Sequence, residues 1–281
     1  MSQFLIDNII ASSGINLNNL TIPSSADDPG IAGDIVWDSN YVYVCTATDT
    51  WKRAALDGSA FGTAWTQVGA DIDGEAAEDK SGWSIAMSSD GSRVAIGAKW
   101  NDGNGVDAGH VRVYDLVGST WTQVGADIDG EAAVDLSGWS IAMSSDGSRI
   151  AIGSYINDGN GINAGHVRVF DLVGSTWTQV GSDIDGEEAG DSSGWSIAMS
   201  SDGSRIAIGA YNDNTECPVR VYDLVGSTWT QVGGDIDGEA AGDYNGISVA
   251  MSSDGSRVAI GAYYNDDGGT DAGHVRVYDW T

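Results

Sequence analysis

At 281 residues, with 40 glycines against 3 prolines and 11 tryptophans, the chain suits short strands joined by tight turns, as one large domain or a small module plus a large one. Acidic residues outnumber basic ones 41 to 12, for a formal charge of -29. Phosphate backbones and anionic lipid surfaces would be repelled, which argues against nucleic acid as a partner.

The opening MSQFLIDNIIASSG has no basic n-region, and no later run is long enough to span a bilayer. The expectation is therefore a chain made in a cytoplasm, without membrane insertion. Apolar residues from Phe4 to Ile22 lie in an Asn- and Ser-rich background, and PSSADDPGIAG then punctuates the chain. A meander follows: GDIVWD, a turn at Asp38 to Asn40, YVYVCTA, a turn at Thr48 to Thr50, and WKRAAL. Three strands this short are marginal alone, so residues 1–60 are expected to attach to something larger or to oligomerise. Cys45 and Cys217 lie in unrelated segments and are expected to be unpaired thiols.

From residue 61 onward the texture is repetitive. The tetrapeptide Trp-Thr-Gln-Val starts at Trp65, Trp121, Trp177 and Trp229, at spacings of 56, 56 and 52 residues. Periods of that size mean a propeller, a solenoid or an array. Each unit offers four strands, as in WTQVGADI, GWSIAMS, SRVAIGA and GHVRVYDL, separated by turn-rich segments. In GWSIAMS, Trp83, Ile85 and Met87 share one face and Ser84 and Ala86 the other, so stacked blades can interlock, bulky face against small face. The last unit lacks a WTQV strand, and the first copy, Trp65 to Ile72, has no earlier blade to join. Pairing that copy with the strand from His274 to Asp279 would close a ring. The predicted fold is all-β: a four-bladed β-propeller closed by its own two ends, preceded by a three-stranded module.

The unit resembles the FG-GAP repeat of β-propeller proteins. The resemblance rests on the pairs Gly82-Trp83, Gly138-Trp139 and Gly194-Trp195 and on Gly97-Ala98, Gly209-Ala210 and Gly261-Ala262, with departures at Gly246-Ile247 and Gly153-Ser154. It covers about three quarters of the chain and implies binding and scaffolding rather than catalysis. Integrin-type members carry calcium in a loop that here reads SSDGSR. Asp90, Asp146, Asp202 and Asp254 remain, too few for a hard cation, so these are expected to be hairpin turns. The run PGIAGDIVWDSNYVYVCTATDTWKRAAL is similar to a small module of tail-fibre and other virion proteins of tailed bacteriophages, cyanophages included. That implies an anchoring or oligomerising N-terminal part and an outward-facing propeller.

Other loops carry residue types suited to chemistry. The loop DIDGEAAED brings Asp71, Asp73, Glu75 and Asp79, repeated as Asp127, Asp129, Glu131 and Asp135. These carboxylates could converge on calcium; solvated turn residues are the competing reading, and no other cofactor is expected. His110, His166 and His274 occupy one repeated position, with Pro218 in the third unit, and are expected to be surface residues of an edge strand. The paired arginines are expected to meet carboxylates across strands or between blades. Near-identical repeats do not favour the unlike roles that a catalytic constellation needs, so no enzyme activity is expected.

The functional expectation is a virion structural protein, a tail fibre or decoration subunit. It would be a homo-oligomer that binds other virion subunits and a host-surface glycan or protein through a loop face including Trp100 and Tyr155. The competing reading is an extracellular bacterial adhesin or self-assembling filament subunit.

Overall fold

The computed structural model describes residues 35–37, 41–48, 50–55, 65–212 and 217–281. The chain divides into two compact units, residues 1–67 and residues 68–281. The apolar run from Phe4 to Ile22 lies outside the described residues, as do 213–216 of the shortened loop.

In the first unit β1 (Ile35–Trp37), β2 (Tyr41–Ala47) and β3 (Thr50–Ala55) form an antiparallel sheet in chain order. Val36, Tyr43 and Cys45 make its small core. The Cys45 thiol donates to the Ala47 carbonyl at 2.9 Å.

The second unit is a row of four antiparallel sheets, one per repeat. Blade one holds β4 (Ser81–Met87), β5 (Arg93–Ala98), β6 (His110–Val117), β7 (Thr120–Gln123) and the short β8 (Ile128–Asp129), which returns to pair with β6. Blade two repeats it with β9 (Ser140–Met143), β10 (Arg149–Ser154), β11 (His166–Val173), β12 (Thr176–Gln179) and β13 (Ile184–Asp185). Blade three has β14 (Ser196–Met199), β15 (Arg205–Gly209), β16 (Val219–Val225) and β17 (Thr228–Gln231). Blade four has only β18 (Asn245–Met251), β19 (Arg257–Ala262) and β20 (His274–Asp279).

The bulky-against-small interlock holds the blades together. Ala95, Val111, Val113 and Ile128 of blade one pack on Ile150, Ile152 and Phe170 of blade two, with Ile141 and Met143 beside them. The same arrangement joins blades two and three through Val167, Val169, Ile206 and Ile208, and blades three and four through Val219, Val258 and Ile260. Each fully buried Ile or Val contributes roughly 1.5 to 3 kcal/mol, so these interfaces supply the core without any helix.

The hairpin between the two inner strands is closed by its own aspartate. Asp90 Oδ1 accepts from Ser88 Oγ at 2.7 Å, Ser92 N at 2.9 Å and Ser92 Oγ at 2.8 Å, and Asp146, Asp202 and Asp254 do likewise. These hydrogen bonds, led by that from the Ser92 amide, hold the Asp90 carboxyl down at about 2. The arginines pair as expected: Arg93 grips Asp115 of its own sheet at 2.6 and 2.8 Å and donates to the Gly147 carbonyl of blade two.

The expected ring closure is not formed. Among the described residues β20 pairs only with β19, and Val275 and Val277 on it are 68% and 59% exposed, whereas the equivalent Val111 and Val113 are 0% and 1% exposed. Ile72, expected to join blade four, packs instead with Val94, Ile96, Tyr114 and Trp121 of blade one. The Val68 carbonyl accepts from Trp121 Nε1 at 2.9 Å, just as Val124 accepts from Trp177 and Val180 from Trp229. Residues 68–72 thus sit on blade one as the outer strand of a preceding blade would. Near the last blade Trp280 takes up the vacated role. Its ring lies under Arg205 at 5.5 Å, as Trp229 lies under Arg149 and Trp177 under Arg93.

Candidate binding surface

Each inner strand opens on a glycine in the left-handed region, Gly138 at φ +82 and Gly194 at φ +87. That conformation is strained for other residues and turns the following tryptophan out of the sheet. The neighbouring strand ends on a second repeated position, occupied by Lys99, Tyr155, Tyr211 and Tyr263. The two columns meet at one end of the blades and build a ladder of rings across all four.

Ring centroids run Trp83 to Trp139 at 4.9 Å, Trp139 to Tyr155 at 4.4 Å, Tyr155 to Trp195 at 4.9 Å, and Trp195 to Tyr211 at 4.3 Å. They continue to Tyr244 at 5.0 Å, then to Tyr263 at 5.5 Å and Tyr264 at 5.2 Å. Most of these separations lie within the roughly 4.5 to 7 Å that favours aromatic pairs, which contribute about 0.5–1.5 kcal/mol each beyond their buried area. Trp83, Tyr263 and Tyr264 are exposed, and the rings between them are half-buried.

Blade one departs from the tyrosine pattern. Lys99 places its Nζ 3.1 Å from the Trp83 ring centroid, 4.4 Å from Trp139 and 4.9 Å from Trp100. Burial, and then the charge of Lys80, hold its pKa below the usual lysine value, while the electron-rich ring faces compensate the ammonium. Of the two residues singled out for binding, Tyr155 is a rung of the ladder, and exposed Trp100 joins it through Lys99. Sequence reasoning missed Lys99 and Tyr244 as members. For Lys99 the signal was present, since it aligns with three tyrosines. Tyr244 gave none: it stands at a repeat position held by Lys80, Leu136 and Ser192 in the other blades, just before Gly246-Ile247, where the aromatic is lost, and its ring fills that gap.

The acidic loops distribute their carboxylates. Asp79 is buried, where its Oδ2 accepts from Ala76 N at 3.1 Å and Asn101 Nδ2 at 3.0 Å, and Asp135 does the same for Ala132 and Asn157. The Asp73 and Asp129 carbonyls accept from Arg112 and Arg168. Glu75 leaves its loop-mates to face His110 Nδ1 at 3.8 Å, opposite Asp127 at 3.9 Å, and Glu131, His166 and Asp183 repeat the group. These two triads, with Glu239, Asp267 and His274, are the clusters among the described residues whose ligand atoms lie close together. Asp71, Asp73, Glu75 and Asp79 do not form one.

The histidines correct the surface reading. His110 and His166 are each 1% exposed, because the outer strand pairs back onto their strand at His110↔Asp129 and His166↔Asp185. Burial outweighs the facing carboxylates and brings His166 down to about 4. The imidazole is neutral, and its 3.9 Å contacts are not ion pairs.

The FG-GAP repeat family matches residues 70–114 and 236–278. A capsule-specific depolymerase of Klebsiella phage K64-1 is 42% identical over 38 residues, which are 14% of this chain and 5% of that protein. Among solved structures the chain is similar to the hydrazine synthase of Kuenenia stuttgartiensis (18% identity, 75% of this chain and 49% of that one, TM-score 0.44). It is also similar to TolB of Acinetobacter baumannii (14%, 70% and 40%, 0.43) and to the β-propeller domain of a Myceliophteria thermophila protein (8%, 89% and 69%, 0.46). The chain spans a twentieth of that phage relative and about half the length of the first of those structures. The two matches to the FG-GAP repeat model thus fall on the first and last of the four antiparallel sheets.

Proposed function

We propose that this chain is a non-enzymatic virion protein of a tailed phage that binds an uncharged surface glycan along its aromatic ladder. The observation that carries the reading is the ladder itself. Rings 4.3 to 5.5 Å apart pack on one another into one continuous, partly exposed apolar strip, with Trp83, Tyr263 and Tyr264 exposed along it, and such a strip suits the C–H faces of pyranose rings in an extended chain. With a net charge of -29, an anionic polymer would be repelled and a neutral one would not. Repeated rungs on one rigid body also allow several weak contacts to add. The similarity to a phage capsule depolymerase supports a bacterial surface polysaccharide as the class of ligand and the virion as the location.

The test is calorimetric titration of neutral bacterial exopolysaccharides into the full chain and into Trp195→Ala. Loss of one central rung should weaken binding roughly tenfold, while Val106→Ser, at an exposed site off the ladder, should leave it unchanged. Equal binding by wild type and Trp195→Ala would remove the ladder from the account, and turnover of the polysaccharide would make the chain an enzyme.

A further inference from the structure

The three junctions between blades share three polar contacts, all pointing the same way. A serine on the small face donates its hydroxyl to the next blade's inner-strand glycine carbonyl: Ser84 to Gly138 at 2.6 Å, Ser140 to Gly194 and Ser196 to Gly246 at 2.7 Å. A hairpin amide donates to the next hairpin: Ser89 to Ser145, Ser145 to Ser201 and Ser201 to Ser253, each at 2.8 Å. An arginine donates to the next hairpin glycine: Arg93 to Gly147, Arg149 to Gly203 and Arg205 to Gly255. Every blade therefore gives donors to its successor and acceptors to its predecessor.

At the two ends of the row this polarity is left open. The outer face of blade four holds the fourth set of donors, the Ser248 hydroxyl, Ser253 amide and Arg257 guanidinium, around exposed Val275 and Val277. The outer face of blade one holds the corresponding acceptors, the carbonyls of Gly82, Ser89 and Gly91, around exposed Trp83, Ile85 and Met87.

We propose that the chain assembles head to tail with further copies of itself, the blade-four face of one copy receiving the blade-one face of the next in the geometry of the internal junctions. Two like ends cannot pair this way, because donors would face donors or acceptors would face acceptors; the contact is heterologous, and the rotation per copy decides between a ring and a filament. The same step completes the last blade. Residues 68–72 of the incoming copy, already lying on its own blade one, come beside the unpaired edge of β20, where Val275 would take Ile72 as Val111 takes Ile128. That covers an exposed strand edge. It also brings Tyr263 of one copy to Trp83 of the next, as Tyr155 meets Trp195 within the chain, so the ladder would run on through the assembly.

The experiment is sedimentation velocity on the full chain from about 1 to 100 µM, with Ile85→Asp blocking the head and Val277→Asp blocking the tail. Wild type should grow in whole-chain steps with concentration. Each variant alone should associate roughly a hundredfold more weakly, and an equimolar mixture of the two should form a one-to-one dimer and nothing larger, since each keeps one working face. Because both substitutions lie at exposed positions, unchanged circular dichroism confirms that the subunits are folded. A wild type that stays monomeric throughout, association unaffected by either aspartate, or a mixture of folded variants that does not pair would each overturn the proposal.

Discussion

Gly153 and Gly261 occupy the same position in blades two and four, and the structure gives them different consequences. A methyl group on Gly153 would sit 2.2 Å from the Gly194 carbonyl oxygen of the next blade and 2.4 Å from Ser140 Oγ. On Gly261 it would meet only Ser248 Oγ, at 2.5 Å, with no successor blade behind it. A hydroxyl can rotate away; a neighbouring backbone cannot without parting the blades by about 1 Å, which forfeits a quarter to a half of each contact across the junction. Overpacking of this kind costs about 1–3 kcal/mol. The displaced Ser140 hydroxyl also loses its bond to the Gly194 carbonyl, about 1 kcal/mol more. Gly153→Ala should therefore lose about 3 kcal/mol, a fall of roughly 6–12 °C in melting temperature for a unit of this size, while Gly261→Ala should melt within about 2 °C of wild type. Differential scanning fluorimetry at low micromolar concentration, where assembly contributes least, makes the comparison. If Gly153→Ala melts with wild type, or if the two alanines are equally damaging, the junction geometry argued above is wrong.

Two other consequences follow from the buried groups. His166 sits at about 4 in the folded chain against about 6.5 unfolded. Its contribution is complete above pH 6.5 and is lost progressively as pH falls toward 4, because only the unfolded chain takes up the proton. The loss should reach about 3 kcal/mol, opposed in part by the Glu131 carboxyl opposite, whose pKa burial raises. Denaturant midpoints between pH 4 and 7 should fall less steeply in His166→Gln, and parallel slopes would refute a neutral buried imidazole. Lys99→Tyr restores the residue of the other three blades and removes a poorly hydrated ammonium; it should melt at or above wild type, and a loss beyond about 1 kcal/mol would show that the cation is needed between Trp83 and Trp139.

Much of the blade is legible in the sequence. Alternation in GWSIAMS assigned Trp83, Ile85 and Met87 to one face and Ser84 and Ala86 to the other, though not the contact of the Trp83 ring with Trp139 and Lys99, and Asp-Gly between two apolar runs marked the hairpin, because strand direction and turn geometry depend on residues within a few positions of each other. Repeated arginines amid many carboxylates pointed to charge partners across strands or between blades, and the structure supplies Asp115 as the partner of Arg93. The candidate site was half visible: Trp139, Tyr155 and Trp195 stand in repeated columns, but that the columns touch follows from the stacking of separate blades. Tyr244 reaches the ladder from a position whose residue changes in every repeat, Lys80, Leu136 and Ser192 in the other blades. The histidines were misplaced because burial of His166 requires an outer strand to fold back over it, a contact made after the break at residues 180–183 that alternation alone does not locate.

Closure was decided only in three dimensions. The chain contains complementary ends, and local pattern cannot distinguish ends that meet from ends that face outward. The rotation from blade to blade is set by how Ile150 and Ile152 settle against Val111 and Val113, and it accumulates over three junctions. Strand identity is a short-range property written in each repeat, whereas the separation of Val277 from Ile85 is the sum of those rotations, which no single repeat contains.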